Sequence, residues 1–383
     1  MRDSRSDLPE FRFLTALVGQ ALGCSAPASL PTLTADEWAR FSELAGAHRV
    51  QPLAYQAFKA DAATVPPDVM SRLQAEAQRC WIHSTMLAQE LARISRLLGG
   101  EGIPLAAMKG PALATQVYGS ITARTMGDLD ILVRPSEFAR ARALLEANDF
   151  VWEETVAALP LFYQDLYARQ AHHFTFRQRR LGYPLEVHVR ASSGPAYFPI
   201  PVEELLADAQ PVSVAGVDVP TLSLRHHFLF VAAHGAKHGW WRLQWVADFA
   251  AFSQRCPAWF DESNVGDGLA RAWGLQSVLD AAFDLSHRCF DTPVPDGGSP
   301  QASRRPLARY GIRSLARGHQ PQTFGEKAEQ VFHFLRLRSG PGYVWEVFRF
   351  CWNVTPEDFA RFPLPGKWAA LYPALRPWLW LAR

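Results

Sequence analysis

Two aspartates one residue apart, Asp128 and Asp130 in GDLDILV (127–133), are the residues of this chain best placed to do chemistry. On an extended strand successive side chains alternate, so the two carboxylates share one face while Leu129, Ile131 and Val133 point the other way, into a core. Carboxylates held this close in a partly apolar setting repel each other unless a proton or a cation intervenes, and Mg²⁺ favours carboxylates together with substrate phosphates and water. Alone, such a common tripeptide reads more readily as a solvated strand end. A third acid strengthens the metal reading. YPLEVHVR (183–190) alternates again, with Leu185, Val187 and Val189 on one face and Glu186 and His188 on the other. Two-metal phosphoryl transfer needs ligands that bridge both ions and a further carboxylate for the ion that activates the attacking hydroxyl; Asp128, Asp130 and Glu186 match that division. His188 is then a substrate contact or a satisfied structural histidine.

Upstream, the apolar run IPLAAM (103–108) ends at Lys109-Gly110-Pro111, where a helix through Ala112–Tyr118 can begin. Free amides at a helix start, a glycine permitting close approach and the ammonium of Lys109 together make a phosphate site.

These residues need a sheet to carry them. Strands are predicted at 103–108, 128–133, 172–177 and 184–189, with a helix from Ser136 to Ala147, and PVSVAGVDVPTL (211–222) reads as a hairpin around Ala215-Gly216. The first hundred residues read as a helical cover: 11–22, then 34–49 with Thr34 as N-cap and Glu37 three residues later, then a long stretch over 67–99. Helical spacing returns from Leu224. There, VAAHGAKHGWWRLQWVADFAAF (231–252) sets His234, His238, Trp241, Trp245 and Asp248 at increments of four, three, four and three, which is one helical face. That face is either a pocket wall, with Trp241 stacking on a base or acceptor and Lys237 or His238 near phosphate, or plain core packing. The His234/His238 pair lacks the glutamate and third ligand of a zinc site.

The segments LAAMKGPALATQVYG and ARTMGDLDILV, followed by LEVHVR and HHFLFVAAHGAKHGWWRLQWVADFAAF, resemble the uncharacterised bacterial nucleotidyltransferase family of the polymerase-β superfamily, over residues 35–255 or so. The resemblance implies an α+β fold, a small mixed β-sheet nucleotidyltransferase core flanked by N-terminal and C-terminal helical regions. It implies two Mg²⁺ ions, replaceable by Mn²⁺, on Asp128, Asp130 and Glu186, and NMP transfer from an NTP with release of pyrophosphate. Lys109 and Gly110 stand where the wider superfamily usually has Gly-Ser, and with Arg124 they are the expected nucleotide-binding residues; Arg124 either holds the triphosphate or braces the loop. A catalytically silent binding or scaffold module, and kinase-like transfer of the γ-phosphate, are the alternatives. The expected divisions are a helical region (1–100), the core (101–222), a helical layer completing the pocket (223–292), and a linker with a Trp-rich C-terminal region (293–383).

Composition bounds the partners. With 383 residues, 48% hydrophobic and 20% charged, the chain can bury a substantial core, which excludes bulk disorder. The formal charge of +2 is unevenly spread: residues 301–383 hold 13 Lys+Arg against 5 Asp+Glu. Those arginines are dispersed, and without a concentrated basic face a large nucleic acid is a poor fit. The acceptor is therefore expected to be a small molecule, peptide or protein hydroxyl. Five scattered cysteines without a CxxC pair point to reduced thiols in the cytoplasm. No apolar run reaches the roughly 18 residues of a membrane span. FLTALVGQALGC (13–24) has a faint likeness to a lipoprotein signal, but Gln20 interrupts it and Asp3, Asp7 and Glu10 precede it, which argues against export. PVPDGGSPQASRRP (293–306) is the predicted linker. Beyond it, Trp345, Trp352, Trp368, Trp378 and Trp380 lie among prolines that break any long amphipathic helix, which favours a tail packed on the body or on a protein partner.

Overall fold

The computed structural model describes residues 8–25, 31–59, 65–152, 156, 158–193, 197–261, 265–295, 306–351, 356–365, 368, 371, 372, 374, 375 and 378. Most of the predicted linker, with Trp352 and Trp380, lies outside the described residues.

Four helices open the chain: α1 (Pro9–Ala21), α2 (Ala35–Ala47), α3 (Gln51–Phe58) and α4 (Pro67–Gly100). The N-terminus of α2 is the predicted cap. Glu37 N–H donates to the Thr34 hydroxyl at 3.3 Å, and Thr34 N–H donates to the Glu37 carboxylate at 2.7 Å. In α1 the apolar residues of the signal-like stretch are core residues, with Phe13, Leu14, Leu17 and Val18 all buried.

A seven-stranded mixed sheet follows, built from β1 (Leu105–Ala107), β2 (Leu129–Val133), β3 (Phe150–Trp152), β4 (His173–Gln178), β5 (Pro184–His188), β6 (Gln210–Val214) and β7 (Val217–Thr221). Its order is β3-β4-β5-β2-β1-β7-β6. The pairs β2/β5 and β1/β7 are parallel and the other neighbours antiparallel. The β6–β7 hairpin turns at Ala215 and Gly216, both with positive φ, as a two-residue loop between twisted strands requires. The expected α+β class, a mixed sheet flanked by N- and C-terminal helices, is what the structure has.

Between and after the strands come α5 (Gly110–Leu113), continued by a π-helical turn at Ala114–Tyr118, α6 (Phe138–Glu146), α7 (Leu161–Gln170), α8 (Val202–Ala207), α9 (Leu224–Lys237) and α10 (Leu243–Ala250). Short helices lead to α11 (Gln276–Phe290), then α12 (Pro306–Arg317), α13 (Phe324–Phe334) and α14 (Pro341–Cys351). Strand β3 and helices α3, α7 and α8 were not among the predicted elements.

Strand alternation gives the sheet two cores. Leu129, Ile131, Val133, Leu185 and Val187 pack with Leu87, Leu91, Ile94 and Leu98 from the second half of α4. On the opposite face Ala106, Met108 and Leu132 join a larger core shared by α1–α3, the first half of α4, and α9–α12. Apolar residues of α4 recur every three or four positions along its 34 residues, so one stripe about 50 Å long serves both cores. Asp130, two residues from both Asp128 and Leu132, lies on the face of the larger core, toward α9 and α10. The C-terminal aromatics divide: Phe359 and Tyr372 bury against Tyr163 of α7, while Trp345, Trp368 and Trp378 are exposed. No helix among the described residues is long and apolar enough to cross a membrane.

Candidate functional site

The register of two parallel strands assembles the acids. In the β2/β5 ladder Asp130 is the direct neighbour of Glu186, and Leu132 that of His188. Parallel neighbours project to the same side, so residues 56 positions apart in sequence share one patch. Strand β4 adds the antiparallel partner on the far side, pairing His173 with His188. β2 begins at Leu129, so Asp128 sits one residue ahead of the strand, not on it as the alternation suggested.

The Lys109-Gly110 turn closes the patch from β1. Met108 N–H donates to Asp130 O at 3.0 Å and carries the ladder one residue past β1. Gly110 then has φ +63°, a left-handed conformation that disfavours any side chain, and its position would put a Cβ 3.6 Å from Asp128 O. This turn sends Lys109 across β2, where its Nζ lies 2.8 Å from Asp130 Oδ1. His188 Nε2 is 3.0 Å from the same oxygen and 3.2 Å from Glu186 Oε2.

These contacts decide the protonation states. Burial alone would raise the Asp130 carboxyl, but the Lys109 ammonium and the His188 ring overcome it and hold the group well below the ordinary carboxylate range. Asp128 goes the other way, pushed up first by the charge of Asp130 and then by burial. Burial works against the charged forms of Lys109 and His188, yet the surrounding carboxylates keep both above their ordinary values. His173 is brought down to about 4 by burial. Burial likewise depresses His172, whose Nε2 is 2.9 Å from His173 Nδ1.

The site fits a hard divalent cation. Asp130 Oδ2 is buried without a hydrogen-bond partner. Asp130, Glu186 and His188 each offer a ligand atom within 4.8 Å of the others, and Asp128 adds a half-buried carboxylate beside them. The carboxylate oxygens of Asp128, Asp130 and Glu186 suit Mg²⁺ or Mn²⁺, and His188 brings a ring nitrogen that contacts two of these carboxylates.

The wall opposite the sheet differs from the sequence reading. The expected continuous helical face over 231–252 is interrupted: α9 ends at Lys237, and Gly239 and Trp240 both take positive φ before α10 starts at Leu243. A Cβ on Gly239 would stand 2.5 Å from the Tyr310 ring, so the bend is fixed by close packing as well as by backbone freedom. The bend still gathers most of the predicted wall. His238 stacks on Trp245 with ring centroids 5.0 Å apart, His234 lies 4.7 Å from His238, and the Arg242 guanidinium covers Trp241 at 4.1 Å. Asp248 is the exception. It is buried and accepts from Arg124 at 2.8 and 3.0 Å and from the Tyr118 hydroxyl at 2.8 Å, and it does not line the cavity. Of the two roles open to Arg124, this geometry displays the brace: the bidentate pair ties the loop before Asp128 to α10.

Lys109, Arg124, Asp128, Glu186, His188, His234, Lys237, His238 and Trp241 thus meet around one cavity of about 280 Å³, with Asp130 beneath its floor. Gly110 shapes the turn and does not line it. Four further titratable groups at the cavity are not marked by the sequence pattern: Arg49, Arg242, His172 and His173. Alternation in the predicted 172–177 strand could have placed His173 beside His188. Nothing in the sequence marks Arg49, which arrives from the end of α2 with a positive φ of 58°.

A family model described as "Uncharacterised nucleotidyltransferase" matches residues 34–291, about two thirds of the chain. The chain belongs to this family. The match spans every strand and each of the acids, and it stops before α12, so the C-terminal helices lie outside it. No curated protein matches the chain. Membership assigns the cavity to a nucleotidyltransferase fold and leaves its acceptor open.

Proposed function

We propose that this member of the nucleotidyltransferase family is a Mg²⁺-dependent enzyme, built on the polymerase-β superfamily pattern, that moves an NMP from an NTP to a hydroxyl group of a small molecule, peptide or protein. The observation that carries the reading is the register pair Asp130/Glu186 with Asp128 beside it. Asp128, Asp130 and Glu186 would hold the divalent ions. Bound there, such ions lower the pKa of an attacking hydroxyl and neutralise charge on the α-phosphate. The acceptor oxygen bonds to the α-phosphorus as the bond from that phosphorus to the β-phosphate breaks; pyrophosphate leaves with the electron pair, and the hydroxyl proton passes to solvent.

The chain's own groups position and neutralise. Lys109 offsets the charge of Asp130 and stands at the turn into α5. Arg49 and Arg242, both in the field of Asp128, present guanidinium groups for the β- and γ-phosphates, a role that Arg124 is less free to take while Asp248 holds it. Trp245, stacked on His238, offers a flat wall for a base or an acceptor.

Thermal unfolding with each NTP, with and without Mg²⁺, tests the donor site. A ligand at 100 times its Kd adds about 2.7 kcal/mol, enough for a visible rise in Tm. The expected result is a Mg²⁺-dependent rise with one NTP that Asp130→Asn abolishes. Labelled product separates the chemistries: α-label entering an acceptor supports nucleotidyl transfer, and γ-label entering it would replace this reading with a kinase. Absence of any NTP-dependent shift would favour a silent scaffold. In a working assay Asp130→Asn should retain less than about a tenth of wild-type turnover.

A further inference from the structure

The cavity carries more positive charge than one triphosphate needs. Of the five Lys and Arg residues lining it, Lys109 is paired with Asp130 and Arg124 with Asp248. The side chains of the other three, Arg49, Lys237 and Arg242, make no hydrogen bond or ion pair among the described residues, although the Arg242 guanidinium lies over Trp241 and Trp245. They stand at different ends. Arg49 approaches Gly127, where a Cβ would lie 3.6 Å from its Nη1, and it repels Arg242; both are attracted by Asp128. Lys237 lies in the field of Glu186, Asp130 and Lys109 and acts in turn on His172 and His173. Arg49 thus sits beside the residue that precedes Asp128, Arg242 lies in the field of the same carboxylate, and Lys237 lies in the fields of Glu186 and Asp130.

If the phosphates of the donor engage the arginines, Lys237 is left over. A cation taken from water without a partner carries an uncompensated desolvation penalty, which a ligand of opposite charge relieves. Burial, helped by the charge of Lys109, lowers the pKa of Lys237 to about 8, and Glu186 and Asp130 offset this only in part. An anion beside Lys237 would favour its charged form. His172 and His173 line the same cavity, His173 lying 3.9 Å from Glu186; as neutral rings hydrogen-bonded to each other they keep one N–H between them for a ligand.

Resting on the nucleotidyl-transfer reading, in which Glu186 marks the acceptor side, we infer that the acceptor is itself an anion: a small hydroxy compound bearing an oxyanion group, phosphate or carboxylate, that is held by Lys237 with His172 and His173. A polycationic amino sugar would set like charge against Lys237, and a neutral alcohol would leave the lysine unpartnered.

Calorimetric titration of inorganic phosphate into the full-length protein, saturated with Mg²⁺ and the α,β-methylene analogue of the preferred NTP, tests this. The loaded wild type should bind phosphate; Lys237→Met should weaken binding by about tenfold or more, and Lys237→Arg should keep it within about threefold. Retained folding of the variants is read from their binding of the nucleotide analogue. Nucleotide binding without phosphate binding, or phosphate binding indifferent to Lys237→Met, overturns the inference and leaves the nucleotidyl-transfer reading intact. Failure of the wild type to bind any nucleotide overturns that reading, and this inference with it.

Discussion

The ammonium of Lys109 lies 2.8 Å from Asp130 Oδ1, on a carboxylate whose side chain is fully buried. A lysine therefore supplies the positive charge that this acid needs, and a divalent ion could supply it equally. Removing one partner of a buried pair leaves the other charge uncompensated and typically destabilises by about 3–5 kcal/mol. Lys109→Met should lower Tm in metal-free buffer, and Mg²⁺ should restore much of the loss. The check is Tm against Mg²⁺ concentration for both proteins. A variant whose Tm is as indifferent to Mg²⁺ as that of the wild type would mean that the carboxylates do not bind the ion.

Arg124 and Asp248 form the second buried pair, 124 residues apart, and the contact fixes the approach to Asp128. Arg124→Met and Asp248→Asn should each destabilise by about 3–5 kcal/mol in denaturant titrations. The double variant should lose much less than the sum, since each single change already breaks the contact. Unchanged stability in Arg124→Met would instead free the guanidinium for a ligand role.

Much of the site was legible because it depends on alternation. A period of two puts Asp130 and Glu186 on the site's face and the parallel β2/β5 register makes them neighbours, while Asp128 stands one residue ahead of β2, where alternation does not reach. Thr34 and Glu37 announced their helix by local chemistry, which tertiary contacts do not override. What stayed hidden depends on contacts distant in sequence. The spacing of four and three from His234 to Asp248 is faithful to a helix, yet Gly239 bends the chain because Tyr310, 71 residues later, occupies the space beside it. Arg49 enters the cavity only because His48 is anchored to α10, accepting from Leu243 N–H at 3.1 Å. No local pattern encodes either event.

Gly110 offers a test of the turn. With φ at +63° and ordinary contact distances around the place a methyl group would occupy, an alanine there would suffer from backbone conformation and not from collision. Gly110→Ala should destabilise by about 1–2 kcal/mol. Because the turn aims Lys109 at Asp130, the same change should weaken Mg²⁺-dependent nucleotide binding. Unaltered stability and binding would show that the turn tolerates a side chain and does not set the position of Lys109.

Acid should loosen the N-terminal helices through His48. Its Nδ1 accepts from Leu243 N–H, so the proton sits on Nε2, which is buried without a partner. Burial, helped by the charge of Arg242, lowers its pKa to about 4 from the ordinary 6.5. A second proton would have to occupy Nδ1, where the Leu243 amide already points. The folded state thus binds fewer protons than the unfolded chain between these two values, so stability is complete above pH 6.5 and falls as the pH drops toward 4. Between pH 7 and pH 5 this one group should remove about 2 kcal/mol. His48→Gln, which keeps an acceptor and cannot titrate, should start less stable at pH 7 yet lose about 2 kcal/mol less than the wild type over that interval. Denaturant titrations of both proteins at the two pH values provide the check. Parallel losses would show that His48 is already protonated in the fold or is not buried in solution.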